Sequence, residues 1–135
     1  MRKKYLSTIK RAKERGLEFN LSLDYFKQLK SDDCCYCGTP NMFLAHYCEV
    51  MGLKTPWMSI DRKDNSKGYI VGNVVSACFV CNRIKSNFFS FEEMLEIGRL
   101  HVKPKMEKFK KEAIENYEDW CDQNVFTAED FIFED

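Results

Sequence analysis

Apolar residues recur at helical spacing at the start of the chain. Tyr5, Ile9 and Ala12 share one face of a segment running from residue 2 to about 15, and Gly16 supplies a stop. A second helix is expected from Leu23 to Lys30, with Ser22 as its N-terminal cap, Asp24 in its first turn, and Leu23, Phe26 and Leu29 facing a core. Between Gly38 and Pro56 the periodicity fails. Pro40, Gly52 and Pro56 interrupt it, which predicts a loop with at most a short helical piece.

Ser59 to Arg62 reads as a short strand, Asn65 to Gly68 as a turn, and Tyr69 to Ser76 as a returning strand, together a β-hairpin with a long tip. Cys78 to Asn87 has helical character. Ser90 and Glu93 form a capping-box signature that opens a helix through Met94, Leu95, Ile97 and Leu100, which Pro104 should end or kink. Met106, Phe109, Ala113, Tyr117 and Trp120 then continue at the spacing of a packed amphipathic helix.

A chain of 135 residues with 44% hydrophobic content predicts one compact domain over residues 1–135, divided into a basic helical region (1–30), a central core (31–98) and a helical, acidic tail (99–135). No apolar run of membrane-spanning or signal-peptide length occurs, so a cytoplasmic protein without a membrane partner is expected. The formal net charge is zero, but the charge is unevenly spread. Residues 1–30 hold nine Lys and Arg against three acids, and residues 91–135 hold six against thirteen. A basic head can bind phosphate even where a distant acidic tail cancels the total.

Seven cysteines include two Cys-x-x-Cys pairs, Cys34 with Cys37 and Cys78 with Cys81. An odd count without an export signal argues against disulfides, and four thiolates on two tight turns form the tetrahedral cage that Zn²⁺ prefers. Such a zinc is coordinatively closed, so its role is structural. Cys35 could replace Cys34 only with poorer spacing, while Cys48 and Cys121 read as small core residues.

The stretch Ser59 to Tyr69, then Asn73 to Val75, then Cys78 to Ser86, closely resembles the core of the HNH endonucleases. The resemblance covers about residues 31 to 98. It implies an α+β fold in which a ββα-metal core with a four-cysteine zinc site is flanked by N-terminal and C-terminal helices. It also implies metal-dependent hydrolysis of DNA phosphodiester bonds, of restriction or of phage and homing type. In that family a carboxylate of the first strand and an Asn or His of the helix hold one divalent cation, and the matching positions are Asp61 and Asn82. Oxygen ligands of this kind suit Mg²⁺ or Mn²⁺. Asn73 matches a residue that braces the hairpin loop.

The family's usual general base is a histidine, and here that position is Arg62, which can clamp a phosphate but cannot accept a proton. The Asp-Arg pair and the run from Cys81 to Asn87 resemble a subgroup in which a tyrosine from outside the hairpin is implicated instead. Tyr25, one residue from the corresponding place at Phe26, and His46 are the candidates; Tyr69 reads as a packing residue. Phosphate contacts to double-stranded DNA are expected from Lys3, Lys4, Lys10, Arg11, Lys13, Arg15, Arg83 and Lys85. Cutting both strands would call for a homodimer. The alternative is a catalytically weak, zinc-stabilised nucleic-acid-binding protein with an acidic interaction tail.

Overall fold

A computed structural model describes residues 1–52 and 58–112. Helices α1 (Arg2–Glu14), α2 (Leu23–Ser31) and α3 (Asn41–Met51) precede a two-stranded antiparallel sheet of β1 (Ser59–Arg62) and β2 (Val74–Ala77). Helix α4 (Phe79–Lys85) follows directly. Then α5 (Phe91–Ile97), a π-helical turn (Gly98–Val102) and α6 (Lys103–Glu112) form one continuous helical run.

Local chemistry sets most of these boundaries. The Ser22 hydroxyl accepts from the Tyr25 N–H, and Ser90 and Glu93 complete a reciprocal capping box on α5. Cys78 caps α4, its sulfur accepting from the Cys81 N–H at 3.5 Å. Strand register pairs Ser59 with Ala77 and Asp61 with Val75. Helix α2 packs on this sheet, fixed by the Ser76 hydroxyl donating to the Leu29 carbonyl at 2.6 Å and the Met58 N–H donating to the Lys30 carbonyl at 3.2 Å. The largest core cluster gathers Phe43, Leu44, Met58, Ala77, Met94, Val102 and Met106 around the four paired cysteines.

Two expectations need correction and a third is narrowed. The segment after Gly38 is an eleven-residue helix, α3, because Pro40 and Gly52 stand at its ends: Pro40 is the N-cap and Gly52, at φ +70°, the left-handed C-cap. The returning strand begins at Val74, because the backbone from Tyr69 to Val71 bonds elsewhere. Tyr69 N–H donates to the Glu18 carbonyl, Asn20 N–H to the Tyr69 carbonyl, and Val71 N–H to the Asn20 side chain. Of the two outcomes expected at Pro104, an end or a kink, the end does not occur: the helix runs on through a local distortion. Pro104 would clash with the carbonyl four residues earlier, Leu100, and the π-helical turn spanning that residue shifts the bonding pattern there. Ala113, Tyr117, Trp120, Cys121 and most of the acidic tail lie outside the described residues.

Candidate functional site

The sulfur atoms of Cys34, Cys37, Cys78 and Cys81 all lie within 4.8 Å of one another and all four residues are buried. Cys37 Sγ and Cys78 Sγ are 3.7 Å apart. Bonds of about 2.3 Å from a tetrahedral metal to sulfur would separate the sulfurs by roughly 3.8 Å, so the four thiols are placed to hold a metal ion. The four thiols share protons unevenly: hydrogen bonds within the cluster push the Cys34 thiol down and the Cys78 and Cys81 thiols up. Cys35, the alternative ligand, is exposed at the surface with its N–H bonded to the Ser76 carbonyl.

The first Cys-x-x-Cys turn carries a residue that the sequence did not single out. Tyr36, between Cys34 and Cys37, is buried and donates its phenol to Asp61 Oδ2. The phenol's pKa is pushed far up, chiefly by burial and then by that carboxylate, so Tyr36 stays a donor. Its backbone is pressed against the π-helical turn, where a Cβ on Gly98 would come within 2.5 Å of the Tyr36 carbonyl oxygen. A large aromatic residue inside a Cys-x-x-Cys turn, unable to point at the metal, is the signal that could have found it.

Asp61 on β1 accepts a second partner at the same oxygen. Lys85 Nζ is 3.5 Å from Asp61 Oδ2 and donates to the Arg62 carbonyl at 3.0 Å. Burial raises the Asp61 pKa, and the Tyr36 phenol, the Lys85 ammonium and the Arg62 guanidinium oppose that rise. Oδ1 has no hydrogen bond among the described residues. It remains available to a cation or to solvent.

Asp61 and Asn82 line one open cleft of about 420 Å³. Arg15, Arg62, Tyr69 and Arg83 line it too, with Asn65 and Asn87, so among the described residues three arginines accompany one carboxylate and three asparagines, and the Arg83 guanidinium lies over the Phe79 ring at 5.6 Å. Arg62 Nη1 donates to the carbonyls of Asn65 and Lys67, at 2.8 and 2.9 Å, and the guanidinium lies over the Tyr69 ring at 5.5 Å. Asn73 ties the long tip of the hairpin: its side chain donates to the Asp64 and Gly68 carbonyls and accepts from the Asp64 N–H, all within 3.1 Å.

The structure brings Asp61, Arg62, Asn82, Arg83 and Arg15 together, but not every candidate. His46 is buried on α3 beside the rings of Phe43 and Phe109, and Tyr25 packs with Leu21, Leu29 and Val74; neither lines the cleft. Lys85 requires a correction as a phosphate contact. Its side chain is wholly buried against Asp61, because a lysine on the inner face of α4 reaches the sheet instead of solvent. Lys3, Lys10, Arg11 and Lys13 are exposed on α1, and Lys4 is half-buried there. No helix among the described residues is long and apolar enough to cross a membrane.

No family model matches the chain. In sequence it is 36% identical over 83 residues to the uncharacterized protein R423 of Acanthamoeba polyphaga mimivirus, covering 62% of this chain and 13% of that protein. It is 34% identical over 86 residues to an uncharacterized 29.0 kDa protein from the dda-modA intergenic region of Enterobacteria phage T4, covering 63% and 31%. The chain therefore matches less than a third of the length of either viral relative. In structure it is similar to the rare-cutting HNH restriction endonuclease PacI, with a TM-score of 0.64 and 27% identity over 75% of each chain. The likeness to the HNH endonucleases, read first in a run of motif residues, thus extends to the fold itself: an α+β chain in which a small hairpin, a following helix and four cysteines placed to hold a metal ion form the same core.

Proposed function

We propose that this chain is a metal-dependent endonuclease that hydrolyses phosphodiester bonds in double-stranded DNA. The observation that carries the reading is the sharing of one cleft by Asp61, Asn82, Arg15, Arg62 and Arg83. The four cysteines would hold a structural Zn²⁺, which suits four buried sulfurs at these separations. Asp61 Oδ1 and the Asn82 side chain offer the two oxygen ligands that a partly hydrated Mg²⁺ or Mn²⁺ takes, the remainder coming from water and substrate. Bound there, such a cation supplies charge for the phosphate and for the departing 3′ oxygen.

The protein's own residues divide the rest of the work. Tyr36 and Lys85 hold Asp61 Oδ2, so the carboxylate presents a fixed direction to the cleft. Arg62 and Arg83 would bind the phosphodiester, and the exposed cations of α1, with Arg15 at its end, would follow the backbone away from the cut. Among the described residues the cleft offers one phenol, Tyr69, beneath the Arg62 guanidinium. A phenol already carries its proton, so the attacking water would give its own to a non-bridging oxygen of the substrate or to solvent, with Tyr69 able only to hold the water by a hydrogen bond. Water would add to phosphorus as the bond to the 3′ oxygen breaks, and that oxygen would leave as a hydroxyl after taking a proton from solvent.

Supercoiled plasmid tests this. With Mg²⁺ or Mn²⁺ the full chain should convert it to relaxed or linear form, and omission of the cation should stop the reaction. One observation favours a second reading. The cleft contains no histidine among the described residues, and Arg62 stands where the resemblance leads one to expect it. A protein that binds the plasmid but never cuts it with either cation would be a zinc-stabilised nucleic-acid binder instead.

A further inference from the structure

Beside the cleft, the loop joining α4 to α5 displays Phe88 to solvent. The residue is 82% exposed, more than any other large apolar side chain described. Single exposed apolar residues are common and require no explanation by themselves; the mounting of this one does. Phe88 and Phe89 both donate their N–H to the carbonyl of Lys85, at 3.0 and 3.1 Å. The same Lys85 is buried, with its ammonium on the Arg62 carbonyl and beside Asp61. One residue therefore fixes the aromatic pair relative to the carboxylate of the cleft.

The loop is also strained and tied. Ser86, not a glycine, sits at φ 46° and ψ −137°, a conformation that an L side chain rarely adopts and that persists only where the surroundings enforce it. The Asn65 side chain reaches from the hairpin to the Ser86 carbonyl at 3.4 Å. The Phe89 ring meets the Phe88 ring edge-on, centroids 4.9 Å apart, and stiffens it. Asn65 and Asn87 line both the cleft and the hollow that holds Phe88, so the two are contiguous. Of the acids in that hollow, Asp64 is bonded to Ser66 and Glu93 to the Ser90 N–H. Those bonds leave both carboxylates charged, and with Glu92 they outnumber the one cation among the hollow's described residues, Lys63, so attraction for the DNA backbone comes from the arginines of the cleft and not from the hollow.

We infer that Phe88 is a wedge that enters the base stack of duplex DNA next to the phosphodiester in the cleft, unstacking a step so that the backbone can bend into the site. This rests on the nuclease reading and deepens it. A rigid aromatic side chain held beside a cationic cleft is the device by which proteins open a base step, gaining for the ring the burial that it lacks in the free protein.

Insertion unwinds DNA whatever its sequence, so the test does not need a known target. A plasmid is relaxed by a cation-independent type I topoisomerase in the presence of the full chain, without Mg²⁺ or Mn²⁺, and its linking number is then compared with that of plasmid relaxed alone. The wild-type chain should shift the distribution in proportion to protein bound. Phe88→Ala, a surface change that should leave the melting curve intact, should abolish the shift and slow nicking in Mg²⁺ by roughly tenfold or more. Phe88→Trp should restore both.

A wild-type chain that nicks but causes no shift, or a Phe88→Ala variant that keeps the shift, would overturn the wedge and leave the nuclease reading standing. A shift abolished by Phe88→Ala without any nicking would keep the wedge and remove the nuclease. Sedimentation that shows a dimer lost in Phe88→Ala, with the DNA shift unchanged, would assign the ring to a second copy of the chain and overturn the proposal.

Discussion

Lys85 and Asp61 form an ion pair 3.5 Å apart in which the two side chains are 1% and 7% exposed. Withdrawing both charges from water is costly, and their attraction offsets that cost only with good geometry and further hydrogen bonds. Here the carboxylate has the Tyr36 phenol and the ammonium has the Arg62 carbonyl. Removing one partner leaves the other charge buried and uncompensated. Lys85→Met, which keeps the volume, should lower the free energy of unfolding by about 3–5 kcal/mol, as measured by urea denaturation. A loss under about 1 kcal/mol would mean that the pair does not exist in solution.

The same pair decides which substitution tests the chemistry cleanly. Asp61→Ala would strand the Lys85 ammonium inside the molecule and confuse lost catalysis with lost folding. Asn82 is half-buried at the cleft, and its side chain supports no other bond described. Asn82→Ala should therefore change stability by no more than about 0.5 kcal/mol, while plasmid nicking falls by roughly a hundredfold or more through the loss of one cation ligand. Equal nicking by variant and parent, at saturating Mg²⁺, would remove Asn82 from the site.

Much of the core was legible because its signals are local. Ser22, and Ser90 with Glu93, bond backbone groups within three residues of themselves, so short-range chemistry forecasts them. Asn73 was legible through its motif, and its bonds do reach across the hairpin loop. What was hidden depends on distant partners. Tyr69 leaves the returning strand because Phe19, fifty residues earlier in the chain, bridges to it. Lys85 looked like a surface cation because nothing near it in sequence reveals that a carboxylate 24 positions away will face it. Tyr36 was missed for the same reason. Pro40 and Gly52 were misread differently: either residue can break a helix or bound one, and only the eleven residues between them settle which.

Metal removal should be felt by the fold before it is felt by any reaction. The four cysteines join a turn at residues 34–37 to the start of α4, across the span that contains the whole hairpin, and they sit inside the largest core cluster. Elemental analysis should find one zinc per chain. Cys78→Ser, or exposure to a strong chelator, should abolish the cooperative melting transition, since the free energy of binding such an ion is largely free energy of folding. A Cys78→Ser protein that melts as the parent does, and with the same metal content, would show that these sulfurs hold nothing.

Lys30 gives the chain a pH dependence of its own. Burial on α2, followed by the charges of Lys4 and Arg11, lowers its pKa from 10.5 to about 8, while its ammonium lies 5.6 Å from the centre of the Phe26 ring. In the unfolded chain the same lysine keeps its ordinary affinity for protons. Between about pH 8 and 10.5 the unfolded state thus binds more protons than the folded state, and stability must rise with pH across that window. Below pH 8 both states are charged and the full penalty applies. It is at most about 3 kcal/mol by the size of the shift, and solvent reaching the partly exposed side chain reduces it to about 1–2 kcal/mol. Lys30→Met should therefore stabilise the protein at pH 7 by about that amount. Its advantage over the parent should shrink as the pH is raised to 10.5, with other titrating groups cancelling in the difference. Paired urea titrations at pH 7 and pH 10.5 would measure it, and an advantage that stays constant with pH would mean that Lys30 is not held among those charges.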